Sequence, residues 1–178
     1  MELAGVETNQ KHNAEYLLIC PRLKLRVTAK GWAALRTETP QTSLTVFVAM
    51  RFKPEFDDLY SLGLSAGVKA AGFEPIRVDR TTHVNRIDDQ ILLEIQRSRF
   101  VVVDTTEHNS NTLFEAGYAL GLGKIVIWAC RRGDETKLDF DFRQYNQMPW
   151  DGQDLPDFAA RLSAAIEQLV GRGVPKSR

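Results

Sequence analysis

The residues best suited to chemistry lie in one stretch of the sequence, between Asp104 and Lys124. Asp104 ends the apolar run FVVVD, and a polar loop follows it. Asn111 is a natural N-cap for the helix predicted after this loop, and Glu115 lies one turn into that helix. A helix N-terminus favours the ionised form of a nearby carboxylate. If it is partly shielded from water, Glu115 would suit the role of a nucleophile or of a group that stabilises an oxocarbenium ion.

Each of these acids also has a simpler interpretation. Glu115 could be an ordinary first-turn glutamate stabilised by the helix dipole. Asp88 and Asp89 start the preceding predicted helix, where one of them could serve as an N-cap. Asp104 is less easily explained in this way, since an acid at the end of a buried strand often places a carboxylate in a crevice. Small residues behind Glu115 predict close packing of the helix on the sheet: Ala116, Gly117, Ala119, Gly121 and Gly123.

Several other kinds of chemistry find no support in the sequence. It has no GxGxxG after the first strand, no phosphate-binding GxxxxGK[ST] and no GxSxG. The three histidines, His12, His83 and His108, are scattered, which argues against a zinc site or a catalytic triad. Cys20 and Cys130 are far apart and predict two buried thiols. We therefore expect no metal and no tightly bound cofactor.

The composition is that of an ordinary globular protein. The 178 residues are 43% hydrophobic and 26% charged, and 23 Lys plus Arg balance 23 Asp plus Glu. A net charge of zero makes nucleic acid an unlikely partner, because proteins that bind phosphate backbones usually carry excess basic charge. The sequence shows no signal peptide and no apolar run of the roughly 20 residues that a membrane helix needs. These features predict a cytoplasmic protein without a membrane partner.

Strand and helix patterns alternate from Leu44 onward, which is typical of βαβ crossovers. The prediction is an α/β fold of flavodoxin-like or Rossmann-like type. Its five-stranded parallel sheet has the order 2-1-3-4-5, with helices on both faces. Strands are expected at 44–50, 73–78, 100–104, 124–130 and 145–150, and helices at 54–71, 87–98, 111–122 and 155–170.

The N-terminal part is less regular. Residues 1–14 have no apolar pattern and suggest a frayed terminus, 16–20 form a short β-like run, and Leu23, Leu25 and Val27 alternate as in a half-buried strand. A short helix at 29–36 and a linker at 37–43 complete it. The predicted organisation is an N-terminal extension, 1–43, a domain, 44–171, and a flexible tail, 172–178.

Ligands of open α/β sheets bind beyond the carboxyl ends of the strands. The predicted loop 134–146 is long and contains Phe140, Phe142 and Tyr145, which could stack on a base, and Arg143, which could pair with a carboxylate or a phosphate. The same aromatic residues could instead pin the loop to the sheet. Further candidates for substrate binding at the strand ends are Met50, Arg51, Phe52, Arg80, Asn109 and Asn111.

Three segments resemble the nucleoside 2-deoxyribosyltransferase-like superfamily: VFVAMRF, RIDDQILLEIQRSRFVVVD and NTLFEAGYALGLGKIVI. They are most similar to its bacterial TIR-like branch, many members of which have no assigned reaction. The resemblance covers residues 44–170, and FEAGYALGLGK and RQYN are its most specific elements. Residues 25–35 resemble the tail of a winged-helix-type unit, which implies a short remnant of such a unit here.

The resemblance implies an N-glycosidic bond enzyme acting on a nucleoside, a nucleotide or an NAD-like dinucleotide. Glu115 matches the glutamate that attacks the anomeric carbon, and Asp89 matches the acid that handles the leaving base. Asp104 matches the acid that ends the third strand. Asn109 or Asn111 stands where the family has a sugar-binding acid, which departs from its pattern. Arg51 and Arg80 are expected to hold phosphate.

Relatives that complete their sites across subunits imply a homo-oligomer. The alternative from a different class is a catalytically silent nucleotide-binding or signalling module on the same fold, since fold does not prove activity. A third alternative is a DNA-binding regulator acting through residues 16–36.

Overall fold

The computed structural model describes residues 6–8, 25–27, 43–78 and 87–173, and for 6–8, 25–27 and 87–89 it describes the backbone alone. The chain divides into two compact units, Met1–Glu38 and Thr39–Arg178. In the first unit, β1 (Val6–Thr8) pairs antiparallel with β2 (Leu25–Val27). A strand at Leu25–Val27 is therefore confirmed. The expectation that 1–14 lacks structure is wrong at Val6–Thr8, because so short a pairing depends on backbone hydrogen bonds and needs no apolar periodicity.

Other predictions for the first unit lie outside the described residues. They are the β-like run at 16–20, the helix at 29–36 and the winged-helix remnant.

The second unit is built on a five-stranded parallel sheet, as predicted. Its order is β4-β3-β5-β6-β7, which is 2-1-3-4-5 when the strands of this unit are counted along the chain. Val46 of the first strand lies opposite Pro75 on one side and Phe100 on the other. The strands are β3 (Thr45–Ala49), β4 (Glu74–Ile76), β5 (Phe100–Asp104), β6 (Val126–Arg131) and β7 (Gln147–Trp150).

Helices cover both faces of this sheet. The predicted helix at 54–71 is divided into a 3₁₀ turn (Pro54–Phe56), a π-helical segment (Leu59–Leu64) and α1 (Ser65–Ala70). The other helices are α2 (Ile87–Arg97), α3 (Ser110–Gly121), α4 (Phe140–Arg143) and α5 (Leu155–Leu169).

Two apolar cores lie on opposite faces of the sheet. Alternation along β5 sends Phe100 and Val102 into the core shared with α1 and α5, and Val101 and Val103 into the core shared with α2 and α3. Phe100 to Val103 are all fully buried. Strands buried on both faces read as continuous apolar runs, which is why the sequence pattern located them well.

Helix α3 begins one residue earlier than predicted. Its N-cap is Asn109, whose Oδ1 accepts a hydrogen bond of 3.1 Å from the backbone N–H of Asn111. Ala116 and Ala119 face the sheet and are fully buried. Apart from chain neighbours and the backbone of α3, no described atom lies within 4 Å of the position that a Cβ on Gly117, Gly121 or Gly123 would take. The expectation that all the small residues allow close packing on the sheet is therefore wrong for these three glycines.

The domain closes on a contact between two glycines. Gly72 has φ of 85°, and a Cβ there would overlap the carbonyl of Gly173. The backbone N–H of Gly173 donates to the carbonyl of Ala71 at 2.9 Å. Residues 172 and 173, the first two of the predicted flexible tail, therefore belong to a segment that packs against the domain through Gly173. Residues 174–178 lie outside the described residues.

Candidate functional site

The carboxyl ends of β3 and β5 meet where the fold changes direction. These strands are neighbours in the sheet. The helical segments after β3 pack in one core, and α3, which follows β5, packs in the other. Neighbouring parallel strands whose helices leave to opposite faces create a crevice at their carboxyl ends, where ligands bind in open α/β sheets. The loop after β3 and the loop after β5 flank this crevice.

The loop after β5 has an unusual backbone. Thr106–His108 form a 3₁₀ turn in which Glu107 has φ of 58° and His108 has φ of 50°. Left-handed conformations are rare for residues other than glycine, and each costs about 1 kcal/mol or more. The loop therefore needs contacts that hold it in place.

Glu107 supplies the first of these contacts, toward β3. Its Oε2 accepts a hydrogen bond of 2.9 Å from Nζ of Lys53 and lies 3.0 Å from a terminal guanidinium nitrogen of Arg51. The hydrogen bond from Lys53 is the main reason that the pKa of Glu107 is lowered. Sequence reasoning identified Arg51 but missed Glu107, because a glutamate in a polar loop carries no signal of its conformation.

His108 supplies contacts in the other direction, toward the β6–β7 connection. Its Nε2 lies 3.2 Å from Oδ2 of Asp139. Its ring meets Phe142 edge to face, with the ring centroids 6.2 Å apart. One 3₁₀ turn therefore touches both the first loop of the sheet and the long connection near its edge.

Asp104 is completely buried at the end of β5. Its Oδ1 accepts hydrogen bonds from Oγ1 of Thr106 at 2.7 Å and from Nε1 of Trp150 at 2.9 Å. Its Oδ2 has no hydrogen-bond partner among the described residues. Burial raises the pKa of this carboxyl group to about 6, although both hydrogen bonds act in the opposite direction.

Glu115 is buried on the other face of the sheet. Its residue is 8% exposed, and it shares the buried side of α3 with Thr112, Ala116 and Ala119. It is the sixth residue of the helix, and the first turn of α3 contains no acid. A first-turn interaction with the helix dipole therefore does not account for its position. Asp104 follows Val102 on the α1–α5 side, so the structure does not place the two carboxylates on the same face of the sheet.

The β3 loop is fixed by stacking. Met50 is 2% exposed and belongs to the core, so its side chain is not at the surface of the crevice. The Arg77 guanidinium lies over the ring of Phe52 at 5.1 Å and over that of Tyr60 at 4.2 Å. Cation–π contacts of this kind hold Phe52 against the fold. Sequence reasoning included Phe52 but missed Arg77, which follows β4.

The β6–β7 connection is attached to the face of the sheet that Glu115 occupies. Tyr145 stacks on Trp128 with centroids 4.5 Å apart and planes at 17°. Nε of Arg143 donates to the carbonyl of Leu138 at 2.6 Å. An open cleft of about 580 Å³ is lined by Glu135, Thr136, Arg143, Gln144, Tyr145, Asn146 and Gln147. The aromatic contacts fit the simpler interpretation, in which they pin the connection to the sheet, and the cleft leaves Arg143 and Tyr145 beside open space.

Two predicted site residues lie beyond what the structure describes. Arg80 is outside the described residues, and Asp89 is described only as backbone near the start of α2. Among the residues that are described, no group of three His, Cys, Asp or Glu side chains could hold a metal ion. Cys130 is a buried free thiol, as predicted, and burial raises its pKa to about 11. Cys20 is outside the described residues.

Comparison with models of protein families and with curated proteins finds no match for the chain. Within the described part, none of the helices has the length and apolar character needed to cross a membrane.

Proposed function

We propose that the protein cleaves or transfers the N-glycosidic bond of a nucleoside, a nucleotide or an NAD-like dinucleotide, with Glu115 as the nucleophile. The observation that carries the proposal is the position of Glu115. It is a buried carboxylate in the second turn of the helix that leaves β5 at the carboxyl edge. A carboxylate that is buried near the carboxyl ends of the strands and lies outside the capping turn is a candidate for a functional group. The sequence resemblance assigns the same residue the role of nucleophile.

The reaction would proceed in two displacements. A carboxylate oxygen of Glu115 attacks the anomeric carbon, and the bond to the base breaks with its electron pair moving to the base nitrogen. Asp89 delivers the proton that the leaving base requires. Water in a hydrolase, or a second base in a transferase, then attacks the same carbon, and the bond to Glu115 breaks with its electron pair returning to the carboxylate. Asp89, which lost its proton in the first step, takes the proton that the attacking group releases. Two displacements retain the configuration at the anomeric carbon.

The remaining predicted residues have supporting roles in this proposal. Asn109 and Asn111 lie at the start of α3 and are suited to binding sugar hydroxyl groups, and Arg51 and Arg80 are assigned to phosphate. Asp104 has no exposed surface, so it acts by fixing the β5 loop against Trp150. A homo-oligomer is part of the proposal through the resemblance alone.

A nucleotide-binding module without turnover is the second candidate. The ionic cluster of Arg51, Lys53 and Glu107 favours it, because such a cluster recognises an anion and performs no bond chemistry itself. Both candidates use the same crevice and differ in whether a bond is broken.

Release of free base separates the two candidates. The purified chain is incubated with nucleosides, nucleoside 5′-monophosphates and NAD, and free base is measured by chromatography. We expect release from at least one compound, and Glu115→Gln should slow it by roughly a thousandfold or more. The matched control is Glu94→Gln on the neighbouring α2, because the one ion pair of Glu94 among the described residues is with the exposed Arg97. Binding without base release would establish the module instead, and equal rates for wild type and Glu115→Gln would exclude Glu115 as the nucleophile.

A further inference from the structure

Two cations of the β3 loop converge on a single oxygen atom. Arg51 and Lys53 reach Oε2 of Glu107 at 3.0 and 2.9 Å. The side chains of the cluster are accessible to a solute, with exposed fractions of 35% for Arg51, 36% for Lys53 and 27% for Glu107. An oxygen held by a guanidinium and an ammonium group is the arrangement in which proteins bind a phosphate oxygen.

The carboxylate of Glu107 lies where the fold predicts that a ligand binds. The two cations follow β3 and Glu107 follows β5, so the cluster spans the crevice between the two strands at which the fold changes direction. Arg131 adds a weaker attraction to Glu107 from β6. At Oε2 of Glu107 one negative charge meets two positive charges at short range, and the more exposed Glu55 lies 3.3 Å from Lys53 alone. A phosphate monoester, which carries nearly two negative charges at pH 7, would balance the pair better than Glu107 does.

The backbone conformation of Glu107 makes its hold on this position weak. Glu107 and His108 are both left-handed, and this strain opposes the ion pairs. Ion pairs that are about one third exposed contribute little, typically below about 1 kcal/mol each. A carboxylate held this way can be displaced by a stronger anion.

We infer that Glu107 is an internal competitor for a phosphate site formed by Arg51 and Lys53, and that the ligand of the crevice is therefore a nucleotide and not an unphosphorylated nucleoside. In the free protein the carboxylate occupies the anion position and keeps the two cations in place. When the nucleotide binds, its phosphate takes over both contacts and the 3₁₀ turn relaxes. The inference rests on the proposed function only for the nucleoside part of the ligand.

Equilibrium binding to the full chain tests this assignment. The probes are the four common nucleoside 5′-monophosphates and NAD, each compared with its unphosphorylated nucleoside, and inorganic phosphate. Glu107→Gln removes the competitor and should tighten binding of at least one nucleotide about tenfold, with nucleoside binding unchanged. The double variant Arg51→Gln/Lys53→Met should weaken binding of that nucleotide about tenfold or more.

Glu55→Gln is the matched control. Glu55 also contacts Lys53, at 3.3 Å, but it does not share the oxygen on which the two cations converge. Its substitution should leave nucleotide affinity within about twofold of wild type. Thermal unfolding of each variant shows whether the fold is retained.

Three results with the Glu107→Gln variant would overturn the inference. They are unchanged nucleotide affinity in Glu107→Gln, equal tightening for nucleosides, and tightening for inorganic phosphate alone. Failure to bind any phosphate-bearing probe would overturn it as well. Tighter nucleotide binding without base release would leave the inference standing and remove the proposed activity. If base is instead released from nucleosides and nucleotides at rates that Glu107→Gln does not alter, the proposed activity would stand and the inference about Glu107 would fail.

Discussion

The indole Nε1 of Trp150 donates a hydrogen bond of 2.9 Å to Oδ1 of Asp104, and this bond joins the ends of two strands that are not neighbours in the sheet. Thr106 adds a second donor to the same oxygen, and its Oγ1 also accepts from the backbone N–H of Arg131. The network thus ties β5, β6 and β7 together below the loops of the crevice. The network also has an unfavourable contribution to stability, because it buries the carboxylate charge of Asp104.

The first prediction concerns the pH dependence of stability. The pKa of Asp104 rises from an ordinary 3.8 to about 6 on folding, so the folded state binds the extra proton between these values. Its contribution to stability is fully present below pH 3.8 and is lost as the pH rises through 6, which amounts to about 3 kcal/mol. Asp104→Asn should remove this loss and raise the free energy of unfolding at pH 7 by about 1 kcal/mol or more, after the cost of burying an amide.

Urea denaturation between pH 4 and pH 8 measures this effect. Asp134→Asn is the comparison, because hydrogen bonds from Lys137 and Arg131 lower the pKa of Asp134. Its contribution is present above the ordinary pKa and is lost as the pH falls, so its substitution should destabilise the protein at pH 7. Parallel pH profiles for the wild type and the Asp104→Asn variant would show that folding does not raise the pKa of Asp104.

The second prediction separates function from stability at Glu115. Glu115→Gln should leave the thermal unfolding midpoint nearly unchanged or raise it, because functional carboxylates are often placed at a cost in stability. The side chain is 8% exposed, and glutamine has nearly the same volume. Calorimetry on both proteins provides the comparison. A large drop in the midpoint with unchanged nucleotide binding would identify Glu115 as a structural residue.

The third prediction concerns the β6–β7 connection as a wall of the site. Replacing Arg143 and Tyr145 by alanine should weaken ligand binding or turnover at least tenfold, about 1.4 kcal/mol. Tyr145→Ala also removes the stack on Trp128, worth about 0.5–1.5 kcal/mol beyond burial, whereas Tyr145→Phe keeps it. Tyr145→Phe is therefore the control for stability. Full activity in the alanine variants, with only a lower unfolding midpoint, would limit the connection to a structural role.

The fourth prediction contrasts glycines whose surroundings differ. Gly72→Ala should destabilise the domain by about 2 kcal/mol or more, because a Cβ would meet the Gly173 carbonyl and φ is 85°. Gly117→Ala should stabilise α3 by about 0.5–1 kcal/mol, since the helix position is open among the described residues. Chemical denaturation measures both changes. Loss of stability in Gly117→Ala would reveal a partner surface packed on this side of α3.

The positions of β3, β5 and β6 were predictable from the sequence, because these strands are buried on both faces and form continuous apolar runs. The edge strands β4 and β7 are only partly buried, and they were predicted from the regular alternation of strand and helix patterns. The π-helical turn at Leu59–Leu64 was not predictable, since an apolar stripe fits either helix type over so few residues. The small residues near Glu115 were compatible with its burial, but the sequence left an ordinary first-turn position open as well. The opposite orientation of Asp104 was not predictable, because one residue of register at the end of β5 decides the face.

Residues joined only by tertiary contacts gave no signal in the sequence. Glu107 contacts Lys53, which lies 54 positions away in the chain, and Arg77 in the segment after β4 contacts Phe52 in the loop after β3. Their types are ordinary for polar loops, and their pairing arises only when the parallel strands bring the loops to one edge. The left-handed pair Glu107 and His108 likewise contains no glycine to mark it.

The paired left-handed residues make the turn after β5 a mechanical link between the centre of the sheet and its edge. Glu107 contacts the β3 loop, and the next residue, His108, contacts Asp139. Because the two residues are adjacent, we expect a rotation of their shared peptide that releases one side chain to displace the other. Suppose that a bound anion changes the equilibrium constant of the His108–Asp139 contact by some factor. Thermodynamic reciprocity then requires that the contact changes the affinity for the anion by the same factor, and removal of Asp139 abolishes this effect. We therefore expect a spectroscopic label on the β6–β7 connection to report whether a ligand occupies the crevice.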